Sequence, residues 1–367
     1  MEAPVVHLRD IQTRSRIFTI WEKQRNKKEV HWFMEMFAET VGGWAFFSTF
    51  MQASHRFFSL PSQAYDSLGL SSVTGFVVGN ILKQQLSSMM QIGLAYSFGI
   101  LFAIGVCGAT SGGHFNPCIT ISFVVFRGFP PSKAARYIFA QILGAYLACL
   151  VIYTEWKVLL VDCEAILEQA GQLDALQFTP NGPAGIFGLY LLPGQTLPRV
   201  FLNEFVTDTL IGLVLFAAID PTNALVPPVM ASVLVALAYA VAIWGFATPG
   251  IALNSARDIG GRMLALTIWG RKAAGGKYAA IAALTNIPAT LLGAFLYEIF
   301  LTDSDRVVPP ASLEYGNTLM NHRRLRKAQE KVRRQSRQSI IEFPPNTMEM
   351  QPPVAKENKP NGVHYEL

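Results

Sequence analysis

The sequence predicts an all-α membrane protein with six transmembrane helices and two re-entrant half-helices, arranged as an inverted repeat. Its composition is the first observation behind this prediction: of 367 residues, 51% are apolar and 15% are charged, and the mean hydropathy is +0.30. The second is that residues 84–126 and 221–256 contain no Asp, Glu, Lys or Arg. A helix crosses the bilayer in about 20 residues, so each uncharged stretch holds a span and something more.

The apolar segments predict six spans, with boundaries set by hydropathy and by the nearest charges. They fall at about residues 31–53, 87–107, 134–154, 200–219, 225–246 and 278–301. The first thirty residues and the stretch "NHRRLRKAQEKVRRQSRQ" are basic, so both termini are expected in the cytoplasm, in the plasma membrane by preference. We expect a tail at 1–30, a membrane domain at 31–301 with repeats at about 31–160 and 199–301, and a largely disordered tail at 302–367.

The remaining composition limits the partners. Four cysteines lie in or beside apolar segments or in the external connection at 155–198, without metal-binding spacing. Buried thiols are therefore expected, with no disulfide framework, metal or cofactor. Membrane lipid is the expected partner, and nucleic acid is not. The motif "RRQS", which ends at Ser336, has the form of a kinase site in the tail.

A repeat is the third observation. The two uncharged stretches end alike, in "GGHFNPC" and "GIALNSA". Upstream, "FAETVGG" and "LNEFVTD" each place a glutamate, Glu39 or Glu204, near the start of an apolar helix. The chain therefore divides into two halves of three spans, which makes the halves inverted. In such folds, ligand sites lie near the bilayer midplane at discontinuous helices.

Each matched ending predicts a half-helix that begins inside the membrane. Asn116 before Pro117 is an N-cap followed by the residue that suits the first helical position, and Asn254 can cap a second helix. Irregular backbone at membrane depth is tolerated where it lines a cavity. The segments before the caps are thus expected to present their backbone to a passage; their residues are Gly112, Gly113, His114, Phe115, Gly250, Ala252 and Leu253.

These residues carry a family resemblance. "SGGHFNPCIT" and "GIALNSARDIGGR", together with the paired glutamates, resemble the asparagine boxes of the major intrinsic protein family of aquaporins and aquaglyceroporins, over about residues 31–301. The resemblance implies a homotetramer with one narrow pore per subunit, Asn116 and Asn254 at the pore centre, and Arg257 at an external constriction. Cys118 and Ser255 depart from the usual Asn-Pro-Ala boxes, which leaves the width of the centre open.

The resemblance also implies which residues form the selectivity filter. Counting along the family pattern gives Tyr96, or Phe98 after a local shift, with Ala242, Ile251 and Arg257. Asp258 after this arginine, with Arg262 four residues later, is similar to the glycerol-conducting branch. A ring, an aliphatic wall and one arginine suit a solute with a carbon backbone on one side and hydroxyls on the other.

The charged residues inside the membrane have more than one interpretation. Glu39 and Glu204 are expected to brace loops by accepting N–H groups, and a proton relay is the alternative for these two residues. Asp258 is expected to brace its loop as an acidic residue in the first turn of a helix. His114 is expected as a packed ring that holds its loop, with pore contact or pH sensing as the alternative.

The predicted function is a passive channel for glycerol and other small uncharged solutes, with water, and not an enzyme. The alternatives are a channel mainly for water, or for urea, ammonia or hydrogen peroxide. An ion-coupled transporter that uses Glu39 and Glu204, and a junction protein with a vestigial pore, are predicted less strongly.

Overall fold

A computed structural model describes residues 20–21, 24–25, 27–48, 69–247, 250–303 and 305–318. Within these ranges all regular secondary structure is helical. Ser336 and most of both predicted tails lie outside the described residues. Residues 310–318 form a helix in a second unit, which begins at residue 310.

The first half of the chain supplies five helices. They are α1 (Lys28–Ser48), α2 (Gly69–Leu82), α3 (Met89–Ser111), α4 (Pro117–Arg127) and α5 (Pro131–Gln169). The second half supplies six, of which the first is a single turn: α6 (Leu173–Leu176), α7 (Leu197–Ile219), α8 (Pro228–Phe246), α9 (Ser255–Trp269), α10 (Gly276–Leu284) and α11 (Asn286–Phe300). Short 3₁₀ helices lie at Pro183–Ile186 and Gly270–Ala274.

The all-α membrane fold class is confirmed. Five of the described helical segments are long and apolar enough to cross a membrane: α3, α5, α7, α8 and the pair α10–α11, which forms one span over Gly276–Phe300. The α1 helix has 21 residues, about 30 Å at 1.5 Å per residue, but carries Glu35 and Glu39. Both glutamates are buried inside the protein. The α1 helix can therefore serve as the remaining one of the six spans, although it is less apolar than the other five.

The third span is longer than predicted. The α5 helix has 39 residues, or about 58 Å, almost twice the thickness of the hydrocarbon core. The connection expected from residue 155 therefore begins as a continuation of this helix, and Cys163 lies in it and not in a loop. Trp156, Leu160, Cys163 and Leu167 are buried on one face of the extension, so packing sustains the helix beyond the bilayer. All four cysteines are free and buried.

The α2 helix was not predicted. Its sequence, GLSSVTGFVVGNIL, is rich in glycine, serine and valine, which are weak helix formers. Its stability comes from packing, since most of its residues are buried against α3, α5 and the turn Pro183–Ile186. Trp156 Nε1 donates to Ser71 Oγ at 3.0 Å, and Ser72 Oγ lies 2.7 Å from Ser87 Oγ. The first bond fixes α2 beside the extension of α5, and the second contact fixes it beside the segment that leads into α3.

The two halves use the same close helix packing. The α1 helix packs on α5, and α7 packs on α11. A Cβ on Gly144 would overlap the carbonyl oxygen of Thr40, and a Cβ on Gly293 would overlap that of Thr209. Glycine thus lets the backbones touch at the matching interface of each half, as in other membrane helix pairs.

Candidate functional site

Both half-helices begin at the predicted asparagines. Asn116 Oδ1 accepts from Cys118 N–H at 3.0 Å, and α4 starts at the next residue, Pro117. Asn254 Oδ1 accepts from Ala256 N–H at 2.9 Å, and α9 starts at Ser255. The N-terminus of each helix carries roughly half a positive charge. Two partial positive charges therefore lie in the interior of the fold, at the two buried asparagines.

The two caps also bond to each other's loops. Asn116 Nδ2 donates to the Leu253 carbonyl at 2.8 Å, and Asn254 Nδ2 donates to the Phe115 carbonyl at 3.0 Å. Phe115 and Leu253 have φ of 48° and 55°, values that non-glycine residues seldom adopt. The strained backbone before each asparagine therefore turns a carbonyl toward the opposite cap.

The two glutamates hold these loops in matching ways. Glu39 accepts from the N–H groups of His114 at 3.2 Å and Phe115 at 3.0 Å. Glu204 accepts from those of Ala252 and Leu253, each at 2.8 Å. Backbone N–H groups that the irregular loops leave without a helical partner are thereby satisfied.

A side-chain amide completes each glutamate site. Gln141 Nε2 donates to Glu39 Oε2 at 2.7 Å, and Asn286 Nδ2 donates to Glu204 Oε1 at 2.8 Å. The loop before α4 and the loop before α9 are thus held by equivalent sets of donors around one carboxylate each.

Arg257 lies in the first turn of α9 beside a cavity of about 460 Å³. Its Nη1 donates to the Phe187 carbonyl at 3.1 Å and its Nη2 to the Ile186 carbonyl at 3.2 Å. Its guanidinium also hydrogen-bonds Tyr96. The cavity wall is formed by α2, α3, α8, residues in the segment 180–192, and the loop before α9. It is a mostly apolar chamber with Arg257 as its charged group.

The predicted filter residues divide into two groups. Tyr96, Ile251 and Arg257 all line the cavity, whereas Phe98 is 44% exposed on the outside of α3. Ala242 is fully buried and does not itself line the cavity. Two neighbours on α8, Tyr239 and Ile243, do line it. A Cβ on Gly69 would lie 2.8 Å from the Tyr96 ring, so α2 begins directly against this ring.

The two loops differ in their relation to the cavity. Gly250, Ala252 and Leu253 line it. The predicted backbone residues of the first loop, Gly112, Gly113, His114 and Phe115, are outside its lining. The His114 ring packs between Phe123, Phe129 and Tyr137, and its Nδ1 lies 3.2 Å from Thr120 Oγ1. These contacts agree with the interpretation of His114 as a packed ring that holds its loop.

Comparison with known proteins is consistent with this geometry. The sequence profile of the family described as "Major intrinsic protein" matches residues 29–296. The chain belongs to the major intrinsic protein family. It is 59% identical over 329 residues to "Aquaporin-3" of Laccaria bicolor, covering 89% of this chain and 94% of that protein. It is 31% identical over 243 residues to "Probable aquaglyceroporin-2" of Gibberella zeae, covering 63% of this chain and 68% of that protein.

A solved structure supports the fold. The X-ray structure of the aquaglyceroporin from Plasmodium falciparum matches with a TM-score of 0.57 at 19% identity, covering 74% of this chain and 97% of that one. Members of the major intrinsic protein family are passive channels for water and small solutes. This member is therefore a multi-pass membrane channel and not an enzyme.

Asp258 forms a buried ion pair with Arg262 and does not line the cavity beside Arg257. Its carboxylate accepts from Arg262 Nε at 2.9 Å and from Arg262 Nη2 at 2.7 Å, in bidentate geometry. Asp258 Oδ1 also accepts from Leu189 N–H at 3.0 Å, and Arg262 Nη2 donates to the Leu189 carbonyl at 2.7 Å. The pair ties the connection between α5 and α7 to α9.

Tyr190, in the connection between α5 and α7, belongs to the same cluster. Its hydroxyl donates to the Ala273 carbonyl at 2.9 Å, and the Arg262 guanidinium lies 5.3 Å from its ring centroid. Burial raises the pKa of Tyr190 to about 12, so this hydroxyl remains a donor at physiological pH.

Replacing Asp258 with asparagine is expected to destabilise the protein by about 3 kcal/mol, because Arg262 would be left buried without its carboxylate. Water permeability per assembled channel should not change. The measurement is the thermal unfolding midpoint of the solubilised protein. Asp174→Asn is the control, since the Asp174 carboxylate is exposed and 3.9 Å from Lys272 Nζ. An unchanged midpoint in Asp258→Asn would contradict the bracing role.

The two departures from the family's boxes contact each other. Cys118 Sγ lies 3.2 Å from Ser255 Oγ, and Ser255 Oγ lies 3.0 Å from Asn286 Oδ1, to which it donates. Ser255 therefore joins the amide that also holds Glu204. In this channel the N-terminal ends of α4 and α9 therefore meet through the contact between Cys118 and Ser255.

Sequence reasoning missed four buried polar residues, namely Gln141, Asp208, Tyr239 and Asn286. Each is a polar residue within an apolar span, which is the signal that could have identified it. Gln141 and Asn286 also occupy matching helices of the two repeats, α5 and α11.

Proposed function

We propose that this channel conducts glycerol and other small uncharged solutes, together with water. The observation that carries the proposal is the chamber beside Arg257, where apolar side chains form most of the wall and Arg257 is the charged residue. A polyol can place its carbons against Ile251 and Tyr96 while its hydroxyls face the arginine. The resemblance of Asp258 and Arg262 to the glycerol-conducting branch supports the same solute.

The cation barrier follows from the same residues. A neutral solute exchanges water hydrogen bonds for those of backbone carbonyls and two amides. A cation would meet two positive helix ends and Arg257, with too few ligands to replace its hydration shell. We propose Asn116 and Asn254 as the pore centre, and Tyr96, Ala242, Ile251 and Arg257 as the external constriction.

The assembly and location belong to the same proposal. We propose a homotetramer in the plasma membrane with both termini in the cytoplasm. The basic segments at both ends of the sequence support the orientation. Large apolar side chains are exposed on the outer faces of several spans, among them Phe139, Leu202 and Phe295, and they suit contact with lipid or with a neighbouring subunit.

Solute-specific swelling of proteoliposomes tests the function. Purified protein is reconstituted, and volume changes are followed by stopped-flow light scattering under glycerol, urea and impermeant osmotic gradients. We expect a glycerol flux that is proportional to the gradient and independent of proton and sodium gradients. Water flux without glycerol flux would replace the proposal by a water channel. Saturation with ion dependence would replace it by a coupled transporter.

A further inference from the structure

Tyr239 stands between the outer chamber and the paired asparagines. It lies on α8, is 2% exposed and contributes to the lining of the 460 Å³ chamber. Neither Asn116 nor Asn254 is among the described residues that line this chamber. Tyr239 therefore forms part of the chamber's inner floor.

The Tyr239 hydroxyl is bonded to one of the two caps. Asn116 Nδ2 donates to Tyr239 Oη at 3.2 Å as well as to the Leu253 carbonyl at 2.8 Å. An amide nitrogen has two hydrogens, so both are engaged. Among the described residues, Asn254 Nδ2 has one acceptor, the Phe115 carbonyl. The two repeats thus hold their loops in the same way, but the side-chain amides of the two caps differ in the number of described acceptors.

We infer that Tyr239 is a specificity-determining residue of the channel, a latch on Asn116 that a solute must displace to pass the centre. A solute that enters from the chamber gains the second Asn116 hydrogen only by taking the place of the phenol oxygen. This exchange costs the least free energy for a solute with hydroxyl groups, because its own oxygen accepts the Asn116 hydrogen that the phenol oxygen gives up. The ring also limits the width of the floor, so it sets an upper size for the solute.

The inference rests on channel activity, which family membership establishes, and on the proposed place of Asn116 at the pore centre. It deepens the proposed function by naming a residue that controls which neutral solutes pass. It does not depend on glycerol being the physiological solute. Water uses the same central donors and must pass the same floor.

Tyr239→Phe tests the latch, because it keeps the ring and removes the oxygen. We expect glycerol and water permeability per assembled channel to rise about fivefold, equivalent to about 1 kcal/mol for one neutral hydrogen bond. Tyr297→Phe is the matched control, since that hydroxyl donates to Asp220 at 2.8 Å away from the chamber. It should leave permeability unchanged.

Tyr239→Ala tests the size limit. Removal of the ring should let a four-carbon polyol such as erythritol pass, and we expect the wild type to exclude this solute. Both variants are measured in proteoliposomes, normalised to tetramer or monomer content by gel filtration. The Phe variant alone decides the latch if the Ala variant does not assemble.

The outcomes separate this inference from the proposed function. If the wild type passes water but not glycerol, the proposed solute is wrong, and a water permeability raised by Tyr239→Phe still supports the latch. If Tyr239→Phe leaves both permeabilities unchanged or lowers them while Tyr297→Phe behaves as wild type, Tyr239 is a structural residue and the inference is overturned.

Discussion

Replacing Asn254 with aspartate is expected to lower glycerol permeability by at least about tenfold, or roughly 1.4 kcal/mol of added barrier, and to open a cation leak. The carboxylate can still accept from Ala256 N–H, so α9 keeps its cap. It cannot donate to the Phe115 carbonyl, which Asn254 Nδ2 now does at 3.0 Å. It also places a negative charge where two positive helix ends exclude cations.

The measurements are stopped-flow glycerol flux and ion current across a planar bilayer. Asn223→Asp is a closely matched control, because Asn223 has the same bonds outside the passage. Its Nδ2 donates to the Ala217 carbonyl at 3.0 Å, and its Oδ1 accepts from Leu225 N–H at 3.2 Å. Normal solute flux without ion current in the assembled Asn254→Asp channel would show that Asn254 is not at the pore centre.

The architecture was predictable because the membrane restricts what a chain can do. Uncharged stretches too long for one span require a span plus a re-entrant segment. Within such a segment, an asparagine before a helix-opening residue identifies where the half-helix starts. The positions of Asn116 and Asn254 thus follow from sequence, as does the placement of one carboxylate at the start of each repeat.

The parts that sequence reasoning missed depend on tertiary packing. The α2 helix has neither strong propensity nor a length that spans a membrane, and its 14 residues are helical because they pack between α3, α5 and the loop beyond α5. Tyr239 is an amphipathic ring in an apolar helix, and sequence periodicity does not distinguish a ring in the core from one over a passage. Only in the folded structure does its oxygen lie 3.2 Å from Asn116 Nδ2.

Ala242, which the family pattern assigns to the constriction, lies near residues of α8 that line the chamber. Residues at i, i+3, i+4 and i+7 share one face of a helix, so Ala242 lies on the face that carries Tyr239 and Ile243. Both of those side chains line the chamber, whereas Ala242 is fully buried and does not line it. A longer side chain at 242 would project over the preceding turn of this face, toward Tyr239.

Ala242→His is therefore expected to lower the glycerol-to-water permeability ratio by at least about tenfold, again roughly 1.4 kcal/mol of extra barrier for the larger solute. An imidazole on this face narrows the chamber beside Arg257 and Tyr96, which excludes a three-carbon polyol by size. Water is smaller and can hydrogen-bond both the imidazole and the guanidinium, so it should still pass.

The measurement is stopped-flow light scattering under glycerol and under impermeant gradients. Ala240→His is the matched control, because Ala240 is equally buried on α8 but two residues away, which turns its side chain by about 200°. A buried imidazole there should lower assembly or both permeabilities together without changing their ratio. Ile243→His is measured beside them, since Ile243 lines the chamber directly. If the ratio falls in Ile243→His but not in Ala242→His, the fifth-span wall of the constriction lies at Ile243, and the positions of Tyr96 and Ile251 in it must be decided by their own substitutions.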